Sequence, residues 1–302
     1  MIIKTDISRS ARGWLADRNT LFAAEATFVI LVIIWGITFV VSRNALQVIG
    51  PFGYNTLRMG VGAVTLALLT GSRWRQLERS YIAPTMVTGF ILFVSYAAQA
   101  YGQQFTTASK AGFLTGSSII YVPLLAAVFL RQRPPRMTLM GVVLAFIGMI
   151  TISVEGSLTT LALSWGDSWV AASGIGWAAY IIALAHYAPR VRAMLLATLH
   201  VGFAAVLSGI GWVFMEPMTV PWESAALWMG VLTTGFLILG IGTSIQTWVT
   251  RQVPATRVAL IAATEPIFAA VAGWFVGETI TMQLLIGGLL ILSGVFLSEK
   301  AH

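Results

Sequence analysis

The stretch ATRVALIAATEPIFAAVAGWFVGE, residues 255–278, decides how the rest of the chain is read. It is apolar over the length of a membrane helix, yet Glu265 stands near its middle, directly before Pro266. A charged side chain at the centre of a bilayer costs about 2.5–3.5 kcal/mol on insertion scales, so such a residue normally faces a bundle interior or a wet cavity. Pro266 removes a backbone donor and disrupts bonding to the carbonyl four residues back, at Ala262, which neighbouring helices or water must then satisfy. The pair predicts a kinked helix beside a water-filled path. The plainer alternative is a protonated Glu265 bonded to a neighbouring helix and serving packing alone.

Composition agrees with a membrane setting. Of 302 residues 57% are hydrophobic and only 10% charged, with a mean hydropathy of +0.84, outside the range of ordinary soluble domains. Cysteine is absent and three histidines are scattered, so neither a disulfide framework nor a metal-binding pattern is present in the sequence. No cofactor is expected. The net charge of +7 does not point to nucleic acid, because the basic residues cluster in short loops between apolar runs, which is a topology signal.

A bilayer core of about 30 Å needs roughly 20 helical residues. On that template the sequence predicts ten spans, near residues 22–42, 53–70, 81–102, 108–130, 137–154, 167–187, 193–215, 224–247, 255–276 and 280–298. Residues 1–21 form a basic amino-terminal segment that lacks a signal-peptide pattern and is expected to stay on the cytoplasmic face. Placing both termini inside puts every basic residue except Arg43, Arg58 and Lys110 on the cytoplasmic side, while the opposite loops carry Glu155, Asp167, Glu216, Glu223 and Glu278. Trp74, Trp165, Trp169, Trp212, Trp222 and Trp274 fall near the predicted surfaces and read as interfacial anchors. Trp35 and Trp177 instead fall near mid-span.

The two halves resemble each other. Ala108-Ser109-Lys110 matches Ala255-Thr256-Arg257, and the same register pairs Gln99 with Gln246. Pro123 corresponds to Pro266 after a short insertion, Gly141 and Gly148 match Gly287 and Gly294, and Trp35 matches Trp177. A five-span unit reverses sense when repeated, so the second copy is inverted. That makes the chain all-α and polytopic: an inverted five-helix repeat over 22–154 and another over 167–298, around a central cavity. Transporters recurrently use this design, with a solute site at mid-membrane and alternating access.

These residues also carry a family resemblance. Trp35-Gly36-Ile37-Thr38-Phe39, then Pro51 and Arg58, Thr107-Ala108-Ser109, Pro123, and Pro254-Ala255-Thr256 through Glu265-Pro266 to Gly277-Glu278 resemble the two EamA domains of the drug/metabolite transporter superfamily. The resemblance covers nearly all of the chain after residue 25. It implies a cavity lined by helices 1, 3, 4, 6, 8 and 9, with 5 and 10 more peripheral, and it is similar in layout to amino-acid exporters of the YddG type. Two departures stand out: Gln132 takes the place of Glu278 in the first copy, and the second copy lacks a counterpart of Arg58.

On the expected lining helices the candidate substrate-binding residues are Trp35, Tyr96, Gln99, Ser118, Tyr121, Trp177, Tyr180, Gln246 and Glu265, with Pro123 and Pro266 as hinges. Aromatic walls with a few directed polar groups suit a small zwitterion or an organic cation. Arg58 and Lys110 are expected to anchor an interface by snorkelling, and His186 and His200 to lie at exposed cytoplasmic edges. No nucleophile, base and metal constellation is present, so no enzyme activity is expected. The function expected is a multi-pass transporter of the bacterial inner membrane that exports amino acids or related metabolites, proton-coupled or facilitative, with Glu265 either binding the ammonium end of the solute or exchanging it for a proton. A multidrug or organic-cation exporter is the alternative, followed by an intramembrane enzyme or a non-transporting scaffold.

Overall fold

The computed structural model describes residues 18–106, 108–131, 134–153, 164–275 and 282–300. Expectations resting on Thr107, Gln132, Glu155, Gly277 and Glu278, and on residues 1–17, lie outside them. The described chain is nearly all helical. Helix α1 spans Arg18–Leu46, α2 Pro51–Thr70, and α3 Ile82–Gln103 after two short 3-10 turns at Gly71–Gln76 and Arg79–Tyr81. The next apolar run divides into α4 (Ala108–Gly116) and α5 (Ser118–Phe129), and α6 (Arg136–Ser153) comes after it. The second half contains α7 (Trp165–Tyr187) and α8 (Ala193–Met215), then α9 (Ala225–Leu232), a π-helical stretch (Thr233–Gly242) and α10 (Thr243–Val249) in one continuous rod. Helices α11 (Ala255–Ala262), α12 (Glu265–Phe275) and α13 (Met282–Glu299) close the chain.

Among the described residues five helical segments are long and apolar enough to cross a membrane: Asn19–Leu46, Arg79–Gln103, Trp165–Arg190, Ala193–Met215 and Ala225–Val249. Helix α2, which carries Asn55 and Arg58, falls outside that set, as do the interrupted helices and the shorter apolar runs Leu114–Phe129, Arg136–Thr151 and Leu285–Ser298.

Local chemistry sets several boundaries. Helix α7 starts at Trp165, just ahead of the predicted 167, because Ser164 and Asp167 form a reciprocal capping box, with the Asp167 amide donating to Ser164 Oγ at 3.2 Å and the Ser164 amide donating to Asp167 Oδ2 at 2.9 Å. Asp167 is buried rather than free in a loop, and its Oδ1 also accepts the Thr106 hydroxyl at 2.5 Å. Helix α2 begins with Pro51, and its first amides, on Phe52 and Gly53, donate to the Glu216 carboxylate at 2.9 Å each. A carboxylate there satisfies orphan donors and complements the helix dipole.

Close helix approaches depend on glycine. A Cβ on Gly141 would collide with the Gly294 carbonyl, and one on Gly148 would lie 2.5 Å from the Gly287 carbonyl, so α6 and α13 run antiparallel in close contact. Gly36 lets α1 lie directly on the turn that holds Glu265. Helices α3 and α7, α2 and α8, α2 and the π-helical stretch, α3 and α8, and α1 and α12 are the other extensive pairs. One end of the bundle is filled by Phe28, Leu31 and Val32 of α1, packed with Val122 and Ala126 of α5, Val249 of α10 and Val258 of α11. Beside this cluster Arg257 pairs with Glu25, Nε to Oε1 at 2.7 Å.

Candidate functional site

Two interrupted helices define the site. At Ser117 the backbone amide and the hydroxyl both donate to the Leu114 carbonyl, at 3.2 and 2.6 Å, and the Ile120 amide donates to the Ser117 carbonyl at 3.0 Å. At Thr264 the same pattern recurs: amide and hydroxyl donate to the Ile261 carbonyl at 3.1 and 2.7 Å, and the Ile267 amide donates to the Thr264 carbonyl at 3.0 Å. The register that sets Ala108 against Ala255 also sets Ser117 against Thr264 and Ser118 against Glu265. Each break therefore tightens one turn at an equivalent place, and the next residue lines a shared cavity. Because the helix already stops at Ala262, Pro266 falls in the first turn of α12, where a missing amide costs no helical hydrogen bond. The expected kink is thus a full break, with the Ala262 carbonyl at the end of α11 and Pro266 in the first turn of a new helix. Pro123, in contrast, lies inside α5.

The cavity has a volume of about 90 Å³, measured by where the centre of a water molecule fits. That is room for several waters at about 10–15 Å³ each. It reaches from the two breaks toward the bundle end marked by Ser42 and Gln103, and stops in the other direction at the apolar cluster around Phe28 and Val258. Trp35, Tyr96, Gln99, Ser118, Trp177, Tyr180, Gln246 and Glu265 all line it. Tyr121 does not. It is half-buried against the apolar cluster, one helical turn past the break, where α5 turns it toward its neighbours.

The walls are partly self-satisfied. Gln99 Nε2 donates to Thr115 Oγ1 at 3.1 Å. Tyr96 meets Trp177 edge-on at 4.7 Å between ring centroids, and Trp177 meets Tyr180 at 5.8 Å. The indole N–H groups of Trp35 and Trp177, which occupy matching places in the two halves, are buried without a hydrogen-bond partner. Glu265 opens α12, and its carboxylate forms no ion pair or hydrogen bond among the described residues. The positive end of the α12 dipole favours negative charge at that position.

Three placements differ from the sequence reading. Arg58 does not snorkel: it is only 5% exposed and lines the cavity. Its Nε donates to Asn55 Oδ1 at 2.9 Å, and its guanidinium lies 4.6 Å from the Tyr54 ring centre and 4.2 Å from that of Tyr96. Asn55 and Tyr54 stand three and four residues earlier on one helix face, a spacing visible in the sequence, whereas Tyr96 comes from α3. His200 is fully buried rather than at an edge. Its Nδ1 faces the Leu196 carbonyl at 2.6 Å and so carries the proton, leaving Nε2 to accept the Tyr180 hydroxyl at 2.8 Å. His186 remains near the surface beside Arg190. Trp212 is buried at 7% exposure with its N–H on the Pro217 carbonyl at 3.2 Å, so it packs instead of anchoring; Trp74, Trp165, Trp169, Trp222 and Trp274 are exposed.

Long apolar helices around a polar, aromatic-walled cavity, with broken helices at its floor, define a multi-pass membrane protein. Comparison with known families specifies which: the EamA-like transporter family model matches residues 23–154 and again 164–299, and the chain belongs to that family, within the drug/metabolite transporters. It is similar to the uncharacterized transporter YoaV of Bacillus subtilis, 23% identical over 276 residues, covering 88% of this chain and 93% of that one. It is also similar to a probable terminal-alkyne amino-acid exporter of Streptantibioticus cattleyicolor, 26% identical over 297 residues, covering 93% and 94%. A solved crystal structure shares the fold at a TM-score of 0.78 and 18% identity, covering 92% of this chain and 98% of that one.

Proposed function

We propose that this chain is a secondary transporter that exports small organic solutes, amino acids or related metabolites, across the bacterial inner membrane by alternating access. Ten spans in two inverted five-helix repeats, with both termini cytoplasmic, carry the mechanism. The observation that supports it most is the matched pair of helix breaks, at Ser117 and Thr264, each with the same hydrogen-bond pattern and each meeting the one cavity. Discontinuous helices at the interface of inverted repeats are where such transporters bind solutes.

The packing supports inversion as well. Helix α1 lies on α12 as α7 lies on α5, and α7 lies on α3 as α1 lies on α9. Helices α6 and α13 are counterparts that pack on each other, and their Gly141–Gly294 and Gly148–Gly287 contacts exchange under the repeat. In this reading the cavity faces outward, and the Phe28–Val258 cluster with the Glu25–Arg257 pair seals the cytoplasmic side. The return step parts that seal and closes the Ser42 and Gln103 end. Glu265 is the coupling group, alternately holding a solute cation and a proton.

The amino-acid class draws on the name of the Streptantibioticus relative and on the lining itself. An organic-cation exporter fits less well, because the buried Arg58 charge faces the same space. The deciding experiment is counterflow in liposomes with a panel of labelled amino acids. Saturable exchange of an unchanged solute is expected. Absence of exchange for the whole panel, in protein shown to be folded and inserted, refutes the transport reading.

A further inference from the structure

The cavity is lined by two side chains of opposite formal charge, Arg58 from the first half and Glu265 from the second, and the described residues neutralise neither. Arg58 is fixed on three sides: Nε by Asn55 and its guanidinium by the rings of Tyr54 and Tyr96. Its remaining polar edge, Nη1 and Nη2, makes no hydrogen bond among the described residues, and neither atom is among the buried unpartnered ones. A buried guanidinium without a counter-charge is costly, and a guanidinium edge matches a carboxylate in a two-point fork. Glu265 presents the complementary half: an unpaired carboxylate at the head of α12, held against α1 by the glycine contact at Gly36.

A purely cationic solute meets Arg58, and a purely anionic one meets Glu265. Only a solute with both poles lets each residue find a partner without adding an unpaired charge to the cavity.

We propose that the cavity recognises a dipolar solute whose carboxylate binds the Nη edge of Arg58 and whose ammonium binds Glu265. The assignment deepens the transport reading and rests on it only for the movement of the solute once bound. It makes Arg58, absent from the second copy at the matching place, a specificity-determining residue.

The test is binding of matched probes to purified full-length protein in detergent, by calorimetry: leucine, isoamylamine (leucine without the carboxylate) and 4-methylvalerate (leucine without the ammonium), with alanine and phenylalanine and their amine and acid analogues run in parallel. The amino acid is expected to bind about tenfold or more tighter than either analogue in at least one set, the scale at which losing one partner of a buried charge pair weakens binding. Glu265→Gln is expected to weaken the amino acid by a similar factor, while the acid analogue, no longer facing a like charge, binds as well as before or tighter. Arg58→Gln should weaken the amino acid, while the amine, no longer facing a like charge, binds as well as before or tighter. Should Arg58→Gln lose its fold, Arg58→Lys replaces it, keeping the charge and losing the fork, and the unmodified protein with the three probes still decides. Equal affinity for amino acid and amine, or no binding of any amino acid, overturns the dipolar site. Liposome exchange of the amines alone at the rate of amino acids overturns it while leaving transport intact; preferential amino-acid binding without exchange upholds the site and removes transport.

Discussion

Replacing Gly36 with alanine should damage both stability and transport, although it adds a single methyl group. An ideal Cβ there lies 2.7 Å from the Ala269 amide nitrogen, 2.8 Å from Phe268 Cβ and 2.9 Å from the Glu265 carbonyl oxygen, while ordinary contact begins near 3.4 Å. Helix α1 must therefore retreat from α12 by roughly 0.7 Å, and two of the three obstacles are backbone atoms that no rotamer change removes. Overpacking of this kind costs about 1–3 kcal/mol, against up to about 1 kcal/mol gained from the helix propensity of alanine over glycine. The net is destabilisation, together with displacement of the turn that carries Glu265. Gly60→Ala is the control, because nothing lies within 4 Å of its added Cβ. The assay is the thermal midpoint of both variants in detergent, and then counterflow in liposomes. Gly60→Ala should match or exceed the parent midpoint with full activity, and Gly36→Ala should melt a few degrees lower with reduced exchange. If the two variants melt and transport alike, the close approach of α1 to α12 is not what holds this turn.

Trp35→Ala and Trp177→Ala should each reduce exchange about tenfold or more while leaving insertion intact, since each removes a cavity wall; normal exchange with a lowered midpoint in both would assign the rings to packing. Glu265→Gln is expected to insert normally and lose the part of uptake driven by an imposed pH gradient, measured against the same protein without a gradient. Equal rates for parent and variant, each with and without the gradient, would leave Glu265 uncoupled. Because the chain has no cysteine, single cysteines at exposed Trp222 and Arg73 can report sidedness in intact cells. An impermeant thiol reagent should reach the first and not the second, and the reverse would invert the topology.

The long helices were legible because apolar runs and basic loops mark them, and the break at Thr264 was legible from the Glu265-Pro266 pair beside it; the break at Ser117 was not, because the expected hinge, Pro123, lies inside α5. Arg58 was misplaced for a physical reason. Position along a span gives depth but not direction, and what turns this arginine inward is a pair of rings, one of which arrives from a helix far away in sequence. His200 was misplaced likewise, since its partner Tyr180 sits on another helix. Tyr121 shows the same limit: the break at Ser117 leaves Ser118 on the cavity but turns Tyr121, one turn later, toward the apolar cluster. The π-helical winding of Thr233–Gly242 has a cue in Gly235, Gly240 and Gly242, which let α2 and α1 press close, but composition alone does not distinguish such a stretch from an ordinary α-helix.

That stretch stores slack. Each wide turn holds about one residue more than an α-helical turn, and an α-helix advances about 100° per residue. Rewinding one wide turn while Ala225–Leu232 stays in place would spin the rod beyond it by about that angle, carrying Thr243 and Gln246 off the cavity wall together. Grip on a cargo would then be released by a corkscrew motion within one rod, with no need for the rest of the bundle to tilt at the same moment.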